Sequence, residues 1–233
     1  MAELRQYTLQ PGARDALVAV FDRELVETQE AAGLQVLGQF RDLERPDRFV
    51  WLRGFADAAS RAPSLAGFYG GPAWAEHGPA ANATMVAWDD VLLLRPAWPD
   101  AALVPHATRA ARDAVGSAAG CVDITVFPLR RPAGTNLLEL ARGPLTGCLR
   151  AGGALQVAWY VADPGPNGFP RLPIRDAGPV LVGIAVFPDA GSFDAFVAAG
   201  SWAREAAPLL APFLAGAPAP LRLAPTARSA TRA

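Results

Sequence analysis

The tripeptide Leu34-Gln35-Val36 recurs as Leu155-Gln156-Val157, one of several landmarks that appear twice and in the same order. Glu3 to Tyr7, followed by Pro11-Gly12, has its counterpart in Asp123 to Phe127, followed by Pro132-Ala133-Gly134. Phe49 to Phe55 before Asp57 reappears as Leu181 to Phe187 before Asp189, and Leu92 to Pro96 as Leu221 to Pro225. The matched positions lie about 120 residues apart early in the series and about 130 apart later. The change falls in one hairpin loop, where Asp163 to Pro173 replaces a turn of a few residues. Ordered landmarks with one localised insertion imply an internal duplication, which limits the chain to two copies of one supersecondary unit.

The unit can be read from the first copy. Glu3 to Leu9 alternates as a strand and stops at Pro11-Gly12. Leu17, Phe21 and Leu25 then recur every four residues, an amphipathic helix ended by Gly33. Leu34 to Phe40 and Arg48 to Phe55 make a hairpin around Glu44-Arg45-Pro46-Asp47. Asp57 is suited to cap a short helix carrying Arg61, with Pro63 limiting its first part, and Pro72 to open a second segment with Trp74 and His77. Met85 to Leu94 is the closing strand. The order β-α-β-β-α-β is ferredoxin-like.

Such a unit covers one face of its sheet with helices and leaves the other bare. Strands Phe49 to Phe55 and Val86 to Leu94 are apolar on both parities, as strands buried on both sides require. The expected fold is therefore α+β: two tandem βαββαβ repeats forming a pseudo-dimeric α/β barrel with the helices outside. The expected boundaries are 1–97 for the first repeat and 98–120 for an Ala/Pro-rich linker, with a helical turn or two around Arg109 to Val115. A degenerate second repeat is expected over 121–225, and a loose tail over 226–233.

Composition narrows the function classes. With 52% apolar and 18% charged residues the chain can build a core, and a net charge of −1 without a basic patch argues against nucleic acid as partner. Every cationic side chain is arginine, so a lysine Schiff base is impossible; with the Ala, Pro and Gly content this suggests a GC-rich bacterial gene. Cys121 and Cys148 lack zinc spacing and are expected as buried free thiols. No apolar run reaches the ~18 residues of a membrane span, and the first strand leaves no room for a signal peptide, so a cytoplasmic protein is expected. Neither a Rossmann glycine fingerprint, a phosphate loop nor a serine elbow is present. His77 and His106 have no carboxylate at i+3 or i+4, so no metal and no cofactor are expected.

The two copies differ where chemistry could reside. Glu3, Arg5 and Tyr7 share one face of their strand, and their counterparts are Asp123, Thr125 and Phe127; Arg61 corresponds to about Phe193. The ligand pocket is expected in the first half, walled by apolar barrel residues with a few inward polar groups. Arg5 or Arg61 would hold negative charge, and Tyr7, Glu3 or His77 would move a proton. Trp51 and Trp74 could stack on a flat ligand. Each has a structural alternative: Glu3 and Arg5 paired across the sheet interface, Arg61 solvated or locally paired, the tryptophans as core, and His77 at the surface.

Glu3-Leu4-Arg5-x-Tyr7 before Pro11-Gly12, a helix ending at Gly33, a strand ending near Phe40, Arg61 after the second hairpin strand, and Trp74 together resemble the NIPSNAP family. The resemblance covers about residues 2–97 and implies the dimeric α/β-barrel superfamily, whose members include cofactor-free monooxygenases, isomerases, haem enzymes and binding proteins. Two functional expectations follow. One is a cofactor-independent enzyme of secondary metabolism (isomerase, cyclase, lyase or monooxygenase) acting by acid–base catalysis on a small, oxygenated, largely apolar metabolite. The other is a non-catalytic small-molecule-binding or protein-interaction module, with haem ligation by His77 as a third possibility. Because the second sheet is supplied internally, the chain is expected as a monomer or a homodimer.

Overall fold

The computed structural model describes residues 1–233. The alternating first segment forms β1 (Ala2–Leu9), and the periodic one forms α1 (Arg14–Val20), a π-helical segment at Phe21–Leu25, and α2 (Val26–Ala31). Gly33 follows at φ +89°, a left-handed turn that a side chain would oppose. The hairpin is β2 (Gln35–Asp42) and β3 (Arg48–Gly54). Asp57 and Ser60 form a reciprocal capping box at the start of α3 (Ala58–Tyr69), which continues through Pro63 for 12 residues, longer than the proline suggests. Pro72 opens α4 (Pro72–Ala83), and β4 (Met85–Pro96) completes the half.

The second half has the same order: β5 (Cys121–Pro128), α5 (Thr135–Leu140), a π-helical segment at Ala141–Leu145, α6 (Thr146–Ala151), β6 (Gln156–Ala162), β7 (Val180–Phe187), α7 (Ala190–Ala199), α8 (Ala207–Leu210) and β8 (Ala219–Pro225). Gly143-Pro144 does not break the helix; it falls inside the π-helical turn, where the amide missing from proline costs least. The strands close into an antiparallel barrel in the order β1-β3-β2-β8-β5-β7-β6-β4. Seams between halves are short: Phe40 to Asp42 of β2 pairs with β8, and Leu94 to Pro96 of β4 with β6.

The barrel interior is a packed core, with Leu4, Leu52, Leu94, Val122, Ile124 and Ile184 among 20 buried side chains. Glu3, Arg5 and Tyr7 contribute nothing to it. That corrects one expectation, and the reason is strand parity: Ala2 and Leu4 point inward, so Glu3, Arg5 and Tyr7 must point out, toward the helices. Two helix-facing layers flank the barrel, one built around Phe21, Phe49 and Trp51, the other around Trp159, Phe187 and Leu145.

Two further expectations are overturned. Arg109 to Val115 contains no helix; Ala101 and Leu103 of the connecting segment are buried instead, with the Leu103 amide donating to the Tyr160 hydroxyl at 2.9 Å. Residues 226–233 are not a loose tail, because their polar side chains satisfy buried groups of the first half. Thr226, Arg228, Ser229, Ala230 and Thr231 are all buried. Thr231 Oγ1 donates to the Leu37 carbonyl at 2.7 Å, and Arg228 binds the Asp22 carbonyl and the Glu27 carboxylate. Of the two thiols, which are both free, Cys121 is buried and Cys148 only half-buried. No helix is long and apolar enough to cross a membrane.

Candidate functional site

Antiparallel pairing of β1 with β3 sets Glu3 opposite Arg53, Arg5 opposite Trp51, and Tyr7 opposite Phe49. All point away from the barrel, so four neighbouring positions of a sheet face carry one carboxylate, two guanidiniums and an indole. Arg61 reaches the same carboxylate from α3. Glu3 Oε2 accepts from Arg5 Nη1 and Arg53 Nε, each at 2.7 Å, and Oε1 accepts from Arg61 Nε at 2.7 Å. The Nη2 atom of Arg53 also stands 2.7 Å from Oε2, and that of Arg61 2.6 Å from Oε1. Glu3, Arg5 and Arg53 are fully buried and Arg61 nearly so. Burial alone would raise the Glu3 pKa, but Arg53, Arg5 and Arg61 outweigh it and hold the carboxyl down to about 2.

Two phenols complete the cluster. Arg5 Nε donates to the Tyr7 hydroxyl at 2.9 Å, and Arg53 Nη1 to the Tyr69 hydroxyl at 3.3 Å. The guanidiniums of Arg5 and Arg53 lie 5.6 and 5.1 Å from the centre of the Trp51 ring, two cation–π contacts that partly offset their desolvation. Burial raises the Tyr7 pKa above the usual phenol value, with Arg5 pulling the other way, so the phenol keeps its proton at neutral pH.

Beside this cluster, between the sheet and α3/α4, lies a pocket of about 310 Å³. Arg5, Tyr7, Tyr69, Trp74 and Met85 line it, together with Trp88 and the amide side chain of Asn82. Its remaining wall comes from the second half. The long β6–β7 loop brings Phe169, Arg171 and Leu172 to the pocket, stacks Phe169 on Tyr69 at 6.3 Å, and lets Asn167 accept from Arg61. The loop that makes the second half longer than the first thus walls the pocket of the first half.

The structure brings Glu3, Arg5, Tyr7 and Arg61 into one cluster and puts Trp74 in the pocket wall. It does not bring in His77, which is half-buried with Nε2 at 3.6 Å from Glu24. Trp51 is 2% exposed beneath the arginines and does not face the pocket. Sequence reasoning missed Arg53 and Tyr69. Arg53 had a signal in its strand parity: a charge two positions after Trp51, in a strand buried on both faces, needs a partner. His106 is exposed. No three His, Cys, Asp or Glu side chains come together as a metal-ligand set.

At the corresponding place in the second half the cationic cluster is missing. Arg5 is replaced by Thr125, Arg53 by Ala185 in the strand pairing, and Arg61 by about Phe193. Asp123 keeps only the Thr125 hydroxyl, at 3.2 Å, and desolvation pushes its pKa up to about 7.

Comparison with known proteins agrees with this architecture. The NIPSNAP family profile matches residues 2–98. Among solved structures, a monooxygenase-like protein from Lactobacillus acidophilus NCFM superposes with a TM-score of 0.59 at 10% identity, covering 98% of this chain and 96% of its own. A second, from Fusobacterium nucleatum, gives 0.57 at 11% identity over 99% of this chain and 93% of its own. An anthrone oxidase-like protein gives 0.52 at 12% identity over 99% and 93%. At these identities the likeness shows the fold alone. No curated protein matches the sequence.

Proposed function

We propose that this chain, a NIPSNAP-family protein over residues 2–98, binds a small, oxygenated, largely apolar metabolite in the pocket beside Arg5 and acts on it by acid–base catalysis without a resident cofactor. The observation that carries this reading is the Tyr7 hydroxyl. It belongs to a residue that lines the pocket, keeps its proton at neutral pH, and sits 2.9 Å from a buried guanidinium. A phenol so placed can donate a proton to a substrate oxygen while Arg5, which donates to the same phenol oxygen, stabilises the phenolate left behind. Glu3 has a different role: held ionised by three arginines, it fixes Arg5, Arg53 and Arg61 in place and moves no proton. The reaction is an isomerisation, cyclisation, elimination or oxygenation. The monooxygenase-like and anthrone oxidase-like proteins that share the fold are in keeping with that group.

In this reading the chain is a tandem duplication with boundaries near 97 and 121, acting as its own partner. The first copy keeps the charged site and the second completes the barrel and lends its long loop as a wall. Turnover tests the proposal: oxygen uptake and product formation are followed with a panel of anthrones and naphthols, for the wild type and Tyr7→Phe. Turnover that collapses in Tyr7→Phe while binding persists is the expected result; turnover indifferent to Tyr7 would sink it. The placement of His77 outside the pocket favours a second reading, a binding module without chemistry, and binding with no turnover across the panel would select it.

A further inference from the structure

We infer that the pocket beside Arg5 takes an organic anion, a flat aromatic acid whose carboxylate lies against the free edge of the Arg5 guanidinium; this rests on the small-molecule reading above. The argument begins with charge. Three guanidiniums surround one carboxylate, and arginine does not give up its proton, so a formal excess of two positive charges is buried together. Uncompensated buried charge is costly, and neutral acceptors disperse it only in part.

Those acceptors can be followed atom by atom. Arg61 spends Nη1 on Asn167, and Arg53 spends Nη1 on Tyr69. Their Nη2 atoms stand against Glu3. Arg5 uses Nε on Tyr7 and Nη1 on Glu3, and its Nη2, fully buried, has no acceptor in the protein. Arg5 is also the one member of the arginine trio that lines the pocket. A buried donor without an acceptor, on a cationic residue that lines a cavity, calls for an anionic oxygen.

The rest of the lining agrees. No aspartate or glutamate borders the pocket, while a second cation, the exposed Arg171, stands at its rim. The walls are the flat faces and edges of Tyr69, Trp74, Trp88 and Phe169. A cavity of about 310 Å³ so walled suits a molecule of two or three fused rings. Positive floor, positive rim and aromatic sides together select an aromatic carboxylate over a neutral or cationic ligand of the same shape.

Titration calorimetry with 2-naphthoate and its neutral isostere 2-naphthamide tests this on the full chain. The expected result is binding of the acid at least about tenfold tighter than the amide. That preference should be lost in Arg5→Gln and reduced in Arg171→Gln. Should Arg5→Gln fail to fold by circular dichroism, Arg171→Gln and added salt decide, since both must shrink the preference. Equal affinity for acid and amide would overturn the anion inference and leave the acid–base reading standing. Binding of neither would overturn both.

Discussion

Glu3 and Arg61, which come from the first strand and the first helix after the hairpin, meet with Oε1 and Nη2 2.6 Å apart. That contact ties α3 to the sheet by a buried charge, and Arg53 and Arg5 converge on the same carboxylate. Helix, sheet and pocket wall are thereby held to one geometry by a single side chain.

Glu3→Gln is therefore expected to cost about 3–5 kcal/mol, since it leaves three buried cations around a neutral amide. Urea denaturation measures it. The pH dependence has a definite sign. The folded carboxyl lies near 2, below its ordinary 4.5, so its stabilisation is present above pH 4.5 and disappears as pH falls toward 2. The stability gap between wild type and Glu3→Gln should narrow across that window, and a gap that stays constant would argue against ionised Glu3 as the anchor.

Tyr7→Phe removes the acceptor of Arg5 Nε and should cost about 1–3 kcal/mol of stability. As the general acid its loss should lower kcat by about 10²–10⁴ with a smaller change in KM. Because burial raises the Tyr7 pKa, wild-type turnover should hold level through neutral pH and fall only on the alkaline side. A profile falling already below neutrality would assign the acid to another group.

Much of this was legible in the chain, for a physical reason. Strand and helix periodicities are local, so β1, α1, the hairpin and the Asp57 cap follow from their own residues, and repetition supplied the pairing of halves. Parity also put Glu3, Arg5 and Tyr7 on one face. What parity alone does not decide is which face of a doubly buried strand meets the helices, and the pocket was accordingly expected on the wrong side of the sheet. Arg53 and Tyr69 escaped notice because their roles depend on register and helix placement. The last eight residues looked dispensable by composition, yet they serve buried acceptors more than a hundred residues away.

Those terminal residues yield the third prediction. A chain ending at Pro225 leaves the Leu37 carbonyl and the Asp22 carboxylate short of the donors supplied by Thr231 and Thr226. Asp22 already has its pKa raised by burial, so losing a donor is costly. Truncation should destabilise by at least about 2 kcal/mol, and Thr231→Val alone by about 1–3 kcal/mol. Thermal melts that match the full chain would show the contacts to be incidental.

Gly78 tests the pocket wall without touching its charges. A Cβ there would stand 2.7 Å from Cε2 of Trp74, so Gly78→Ala must push the indole, which already meets Tyr69 edge-on at 4.7 Å. Alanine favours the helix by about 1 kcal/mol, while overpacking costs about 1–3 kcal/mol, so stability should fall by no more than about 2 kcal/mol. Affinity for 2-naphthoate should nonetheless fall severalfold. Unchanged affinity would place the ligand away from Trp74.

The second half of the chain supplies the converse experiment. Asp123 occupies the place of Glu3 but has kept none of the arginines, and its carboxyl is pushed up to about 7 by desolvation against a single Thr125 hydroxyl. A raised carboxylate pKa means the folded state prefers the protonated form, so stability is lost as pH climbs from about 4 through 7. Asp123→Asn removes that loss. It should leave the melting temperature nearly unchanged at pH 4 and raise it at pH 8, by on the order of 1 kcal/mol of stability. Glu3→Gln should do the opposite, destabilising most at neutral and higher pH. One fold position then carries carboxylates of opposite sign in their effect on stability, and the arginines account for the difference. Melting curves for both variants at the two pH values would show whether the arginines account for the difference between the two carboxylates.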